Sequence, residues 1–290
     1  MKFFLKYIFL IFSVSFITAE IILRVFNAVG KPIDYYEVEG FIKNTPNTKG
    51  FYTFGTFPTI YRKNYVINNS GYNSSINYPE FFNNKNTIAL IGDSFIEGYH
   101  VDVNKSIGRL IEKLCDSIQV YEYGISGHNI HNYIEIYESQ HLERLDKVYF
   151  FIHFTDFLKD RPNKSKYFEF KEKYLRPLYE LSSLVQYINK NHKPFATDKS
   201  LNKYISSYTQ LKVNEFLSRA KNIELIYRND QIDTSLDFVE KKIKIISHRR
   251  KPFNYGFDLH WNDNGRLNVA NHIMKDLNKQ ACQNTPTNNR

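Results

Sequence analysis

Residues 87–101 read TIALIGDSFIEGYHV, and the turn inside that run decides the fold. Residues 87–91 form a short, continuous apolar run that stops at Gly92, the pattern of a strand buried on both faces of a parallel sheet. Beyond the turn, Ile107, Leu110, Ile111, Leu114 and Cys115 recur at i, i+3, i+4, i+7 and i+8, which lays them along one helix face and makes Cys115 a core residue. The same alternation repeats downstream. Residues 118–123 (IQVYEY), 148–154 (VYFFIHF) and 223–227 (IELIY) are strand-like, and 243–246 is a short fifth. Ile130, Ile134, Tyr137, His141 and Leu145 mark a helix after the second strand. Leu267, Ala270, Ile273, Met274 and Leu277 mark a last helix from about Gly265. Strands and helices in this order predict βαβ units and a mainly parallel sheet covered by helices on both faces, an α/β fold.

Upstream of this block, residues 27–86 are rich in Asn, Tyr, Gly and Pro, with turn punctuation at Asn69-Ser70-Gly71 and Asn73-Ser74. They read as an irregular extension with short strands. In residues 1–26, Lys2 and Lys6 precede an uncharged run from Tyr7 to Ala19, followed by Glu20 and a second apolar stretch. This is an export element. Two forms fit it: a signal peptide ending at Ile17-Thr18-Ala19, or a signal anchor that spans the membrane as far as Phe26. The anchor is the favoured form, because Glu20 and Arg24 make an i,i+4 pair for the far interface and the lysines hold the entering end in the cytoplasm. Everything downstream is then expected outside the cytoplasm, on the periplasmic or extracellular side.

Downstream, residues 159–222 exceed what a crossover needs and carry a helical pattern over 201–220, so they read as a helical insertion in a domain spanning 87–280. Residues 281–290 read as a disordered tail. Over 290 residues, 42% hydrophobic and 24% charged residues exclude a disordered, collagen-like or polytopic membrane chain. The net charge of +9 leaves acidic partners open, and export removes nucleic acid from them. Two cysteines, Cys115 and Cys282, are too few for a disulfide framework and lack the paired spacing of a zinc site.

In a parallel sheet, ligands meet the carboxyl ends of the strands. Those ends are polar here: Gly92-Asp93-Ser94 after the first strand, Gly124-Ile125-Ser126-Gly127 after the second and Thr155-Asp156 after the third. Asp258-Leu259-His260-Trp261-Asn262 precedes the last helix. A serine hydroxyl becomes nucleophilic when an imidazole takes its proton, and the imidazole needs a carboxylate to fix its tautomer. Ser94, His260 and Asp258 fit these roles, and the i, i+2 spacing of Asp258 and His260 in an extended loop points both side chains one way. Backbone N–H groups of Ser94 and Gly124, with a side chain near Thr155, are the candidate oxyanion donors.

At these residues the chain resembles the SGNH/GDSL hydrolase superfamily. ALIGDSFIEGYHV (89–101) matches its first block, YEYGISG its second, and DLHWNDNG (258–265) the variant of its last block in which Asp and His are two apart. The resemblance spans about residues 87–279 and extends upstream, where YVINNSGYNSS is similar to an Asn-x-x-Gly-Tyr/Phe-Arg segment of exported members, with Asn73 in place of Arg. It implies a flavodoxin-like three-layer α/β/α sandwich (the SGNH hydrolase fold) and ester chemistry without a cofactor or metal. The catalytic residues it implies are Ser94, His260 and Asp258; the oxyanion donors are Ser94, Gly124 and Thr155; Asp93, Asp156 and Trp261 are expected at the substrate. Thr155 stands where the family usually has Asn, and its hydroxyl donates one hydrogen bond with a shorter reach. The Asn common before the second-block glycine is also replaced, by Glu122 and Tyr123.

Other clusters read more simply. His128, His131, Glu135 and Glu138 fall at helical spacing but lack the pattern of a metal motif, and read as a solvated helix face. Lys241, Lys242, Lys244, His248, Arg249, Arg250 and Lys251 read as a solvated basic edge, with an acidic glycan or lipid headgroup as the functional alternative. No P-loop and no Gly-x-Gly-x-x-Gly fingerprint supports a nucleotide site. Three functions follow: a membrane-attached serine esterase acting on O-acyl, mainly O-acetyl, esters of an envelope carbohydrate or another small ester; an O-acetyltransferase; and a catalytically degenerate glycan-binding or assembly module.

Overall fold

The computed structural model describes residues 2–26, 28–30, 33–38, 41–54, 61–82, 86–158, 178, 181–192, 204–228, 232–246, 252–255 and 258–277. The chain divides into two compact units, one of Met1–Asp34, Gly50–Lys63 and Ser165–Asp198, the other of Tyr35–Lys49, Asn64–Lys164 and Lys199–Arg290.

In the larger unit, β5 (Thr87–Gly92), β6 (Gln119–Gly124), β7 (Lys147–Ile152), β8 (Ile223–Tyr227) and β9 (Ile243–Ile245) form one parallel sheet in the order β6-β5-β7-β8-β9. Side chains alternate across a strand, so each strand feeds two cores. Ala89, Ile91, Tyr123, Val148, Phe150 and Leu225 pack on one face, with α4 (Ile130–Ser139) and α6 (Ser207–Arg219) supplying Tyr133, Ile136, Val213 and Phe216. Ile88, Leu90, Val120, Tyr149, Phe151 and Ile226 pack on the other, against Ile107 and Ile111 of α3 (Ile107–Leu114) and Val269, Ala270 and Ile273 of α7 (Asp263–Asp276). This is the expected three-layer sandwich. The third strand ends at Ile152, because Phe154–Phe157 turns into a 3-10 helix capped by the His153 side chain. The helix after β6 ends at Ser139, where His141 takes a left-handed conformation at φ 52°.

The upstream extension contributes an antiparallel pair, β1 (Tyr35–Val38) with β2 (Phe41–Asn44), and the strands β3 (Lys49–Phe54) and β4 (Tyr61–Val66). It also completes the sheet core. Tyr72 and Tyr78 are buried, with rings 4.8 Å from Tyr123 and 5.0 Å from Tyr121. The Tyr78 hydroxyl donates to the Glu122 carbonyl and accepts from the Glu122 N–H, both at 2.8 Å, which satisfies backbone groups on the edge strand β6. Burial raises the Tyr78 phenol pKa, so it stays a donor.

The supposed solvated histidine face is a correction. His128 and His131 are 4% and 2% exposed; His128 Nε2 lies 2.9 Å from the Ile42 carbonyl and His131 Nε2 lies 3.1 Å from the Thr209 hydroxyl. Burial pushes His128 down to about 4, which keeps it a neutral hydrogen-bonding residue. Cys115 is buried, as expected.

The smaller unit contains α1 (Lys2–Val25) and α5 (Ser183–His192). Phe3–Val25 is long and apolar enough to cross a membrane, with mean hydropathy 2.1 and 6% of it buried. Arg24 Nε meets Glu20 at 2.6 Å, the expected i,i+4 pair. Glu20 also accepts from Ser182 Oγ and the N–H groups of Ser183 and Leu184 at 2.8–2.9 Å, so one carboxylate caps the start of α5. Half of the insertion at 159–222, the tail at 281–290 and His248 to Lys251 of the basic run lie outside the described residues.

Candidate active site

The chain leaves β5 for one sheet edge and returns past it to β7, so the crevice for ligands opens where β5 and β7 end. Gly92-Asp93-Ser94 stands at that point. Ser94 begins the single-turn helix α2 (Ser94–Glu97), whose start is fixed by the Asp93 carboxylate accepting from the Phe95 N–H at 3.0 Å. Asp93's second oxygen accepts from Arg228 Nη2 at 2.9 Å. Gly124 must be glycine, because a Cβ there would lie 2.1 Å from the Glu97 nitrogen; α2 is pressed onto the end of β6.

The loop before α7 brings the other two residues. Ser94 Oγ lies 2.8 Å from His260 Nε2, and His260 Nδ1 lies 2.6 Å from Asp258 Oδ1, which also accepts the His260 backbone N–H at 3.0 Å. Ionised Asp258 holds a proton on Nδ1 and leaves Nε2 to accept the serine proton. Burial pushes Asp258 up, but the two hydrogen bonds from His260 outweigh it and hold the carboxyl down to about 2. Two segments far apart in the chain thus form one hydrogen-bonded line.

Several expected site residues are placed elsewhere. Trp261 is 0% exposed and packs on Phe95 and Phe151 at ring distances of 5.0 and 5.9 Å; it anchors the His260 loop to the core and does not line a substrate surface. Asp156 is buried, accepts from the His153 N–H at 2.8 Å and faces Arg228 at 3.7 Å. Burial raises it to about 7, with Arg228 opposing. Asp93 and Asp156 therefore share one guanidinium. Thr155 Oγ1 lies 2.9 Å from His153 Nδ1, the same nitrogen that accepts the Thr155 backbone N–H. That nitrogen is an acceptor, so the threonine's single proton is directed at His153.

Sequence reasoning missed Arg228, although it directly follows the fourth apolar run and so stands at a polar strand end like the others. It also missed the supports of Glu97: Asn44 Nδ2 donates to its carboxylate at 3.1 Å, the Ser126 N–H at 2.8 Å and the Ser126 hydroxyl also donate, and Asn73 Nδ2 donates to its carbonyl at 2.7 Å. Burial raises this carboxyl to about 7, opposed by Ser126 and Asn44. Asn73, the departure from the upstream motif, is thus a brace on the turn that carries Ser94.

His100, Asp258 and His260 have donor atoms within 4.8 Å of one another. The two imidazoles stack at 3.7 Å and 13°, which sends their ring-nitrogen lone pairs along parallel planes. A tetrahedral metal needs donors that converge, so the set fits a metal poorly.

No protein-family model and no curated protein matches the chain. Among solved structures, it is similar to a putative lipolytic protein of the G-D-S-L family from Desulfitobacterium hafniense DCB-2, at 12% identity and TM-score 0.35 over 66% of this chain and 99% of that one. It is also similar to a member of the lipolytic protein G-D-S-L family from Veillonella parvula DSM 2008, at 14% identity and TM-score 0.34 over 67% and 98%. A third is the lipase/acylhydrolase from Enterococcus faecalis, at 14% identity and TM-score 0.38 over 66% and 94%. The functional reading therefore rests on the residues of the site.

Proposed function

We propose that the protein is a serine esterase in which Ser94, His260 and Asp258 act as nucleophile, general base and orienting carboxylate. The observation that carries this is the line from Ser94 Oγ through His260 to Asp258, at 2.8 and 2.6 Å. In the reaction, Ser94 Oγ attacks the acyl carbonyl as its proton passes to His260 Nε2. His260 then gives that proton to the leaving alcohol oxygen, and the C–O bond of the ester breaks to leave an acyl-serine. Water, deprotonated by His260, attacks the acyl-serine and releases the acid with Ser94 restored. Backbone N–H groups of Ser94 and Gly124 take the oxyanion, each contributing about 3 kcal/mol of transition-state stabilisation. The close approach of α2 to Gly124 supports bringing these two N–H groups together.

The export element points to esters outside the cytoplasm, so the substrate is an O-acyl, chiefly O-acetyl, ester of an envelope carbohydrate, reached by a protein attached to the membrane through α1. An acceptor sugar hydroxyl in place of water would make the same acyl-serine an O-acetyltransferase intermediate. Thr155 favours a different reading, a degenerate binding module, because its proton is already engaged. Full-length protein in detergent should hydrolyse p-nitrophenyl acetate and release acetate from acetylated glycan, and a fluorophosphonate should label Ser94. Absence of both turnover and labelling in the wild-type protein would favour the binding module.

A further inference from the structure

The imidazole of His260 is held edgewise by Ser94 and Asp258, and its two faces are also covered. Phe95 stacks on it with ring centroids 4.6 Å apart at 28°, and His100 with centroids 3.7 Å apart at 13°. Two rings at those separations cannot share one face of an imidazole, because atoms in contact stay about 3.5 Å apart, so they take opposite faces. Beyond Phe95, the Arg228 guanidinium carbon lies 4.2 Å from that ring's centroid. Phe95 and His100 belong to the same short tract as the nucleophile, one following Ser94 directly and the other six residues on. The tract that supplies the serine therefore also supplies both walls of the slot for its base.

We propose that His100 is a positioning residue for His260: its ring closes the slot opposite Phe95, so the imidazole cannot swing off the line between Ser94 and Asp258. This rests on the esterase reading for its kinetic consequence, though the slot itself does not. The His100 ring face carries the role, because its Nε2 stands 3.5 Å from Asp258 Oδ2, too far for a strong hydrogen bond. His100 is 6% exposed, and its Tyr99 and Val101 neighbours are buried, which fixes the wall in place. Burial, reinforced by the charge His260 takes up, pushes His100 down to about 3. It therefore stays neutral and adds no second positive charge when His260 accepts the serine proton.

The test uses full-length protein in detergent with three variants. His100→Ala and His100→Asn remove the ring, whereas His100→Phe keeps a flat ring and removes its nitrogens. Removing the wall should lower kcat for p-nitrophenyl acetate by about 10- to 100-fold with KM within about twofold, because a small displacement of the base acts on the chemical step. His100→Phe should recover kcat to within about threefold of wild type. The proton shared by His260 Nδ1 and Asp258 should give a downfield NMR resonance that persists in wild type and His100→Phe and broadens in the Ala and Asn variants. Wild-type kcat and an intact resonance in His100→Ala or His100→Asn would overturn the proposal. So would a His100→Phe protein as impaired as His100→Ala at an unchanged Tm. If the wild-type protein neither turns over ester nor labels at Ser94, the esterase reading fails, and the resonance alone still decides whether His100 fixes the ring.

Discussion

Among the described residues, two hydroxyl–imidazole pairs stand at the carboxyl ends of neighbouring strands, and they are built for different work. Ser94 and His260 are 166 positions apart in sequence and meet at 2.8 Å; Thr155 and His153 are two apart and meet at 2.9 Å. In the first pair, Asp258 occupies Nδ1 and leaves Nε2 to face the serine. In the second, Nδ1 accepts from the threonine's hydroxyl and from its backbone N–H, and the outcome is a capped turn. A hydroxyl beside an imidazole is thus not a nucleophile by proximity. What separates the pairs is a carboxylate that dictates the tautomer, together with a scaffold that brings distant segments to one point.

The largest effects belong to the distant pair. Ser94→Ala and His260→Ala should each reduce kcat for p-nitrophenyl acetate by about 10⁴-fold or more, read in a steady-state assay against residual background. Asp258→Asn should reduce it by about 10⁴-fold or somewhat less, because the amide keeps the shape of the carboxylate but no longer selects the Nδ1 proton. Retention of full activity in Asp258→Asn would erase the distinction between the two pairs.

That distinction was legible for the first pair and only half legible for the second. Gly92-Asp93-Ser94 follows an uninterrupted apolar run, and Asp258 and His260 carry the i, i+2 spacing of a shared direction, so local pattern sufficed to name them. Trp261 and Asp156 were misplaced because adjacency to a site residue says nothing of which way a side chain points: Trp261 turns into the core, and Asp156 is drawn to Arg228 on the next strand's end. Tyr72 and Tyr78 looked like parts of an irregular extension, since their partners Tyr121 and Tyr123 stand more than forty positions on. Long-range packing of this kind leaves no periodicity to read. The parallel sheet does, because each strand must be apolar on both faces.

A smaller effect concerns the charges beneath the two pairs. Asp156, below Thr155, and Asp93, below Ser94, share the Arg228 guanidinium. With its folded pKa raised from 3.8 to about 7, Asp156 holds a proton in the folded state that the unfolded chain gives up. Its contribution to stability is therefore greatest below about pH 4 and is lost as pH rises through about 7. Asp156→Asn, which keeps the acceptor for the His153 N–H, removes that loss. The Tm of the variant should gain on wild type between about pH 4 and pH 7 and level off above that in parallel thermal scans. A constant difference across that range would show that Asp156 ionises in the fold as easily as outside it.

The smallest effect is the sharpest test of the comparison. If Thr155 donated to the oxyanion, removing its hydroxyl should cost kcat on the order of 10²-fold, the loss seen when one such donor is deleted. The geometry says otherwise, since the hydroxyl proton is directed at His153 Nδ1 within its own turn. Thr155→Val keeps the β-branched shape and replaces the hydroxyl with a methyl group, so kcat and KM for p-nitrophenyl acetate should stay within about threefold of wild type. The turn should lose about 1 kcal/mol with the hydrogen bond, visible as a lower Tm. A variant with unchanged Tm and a hundredfold lower kcat would mean that the hydroxyl swings from His153 to the substrate during the reaction, and the two pairs would then belong to one site.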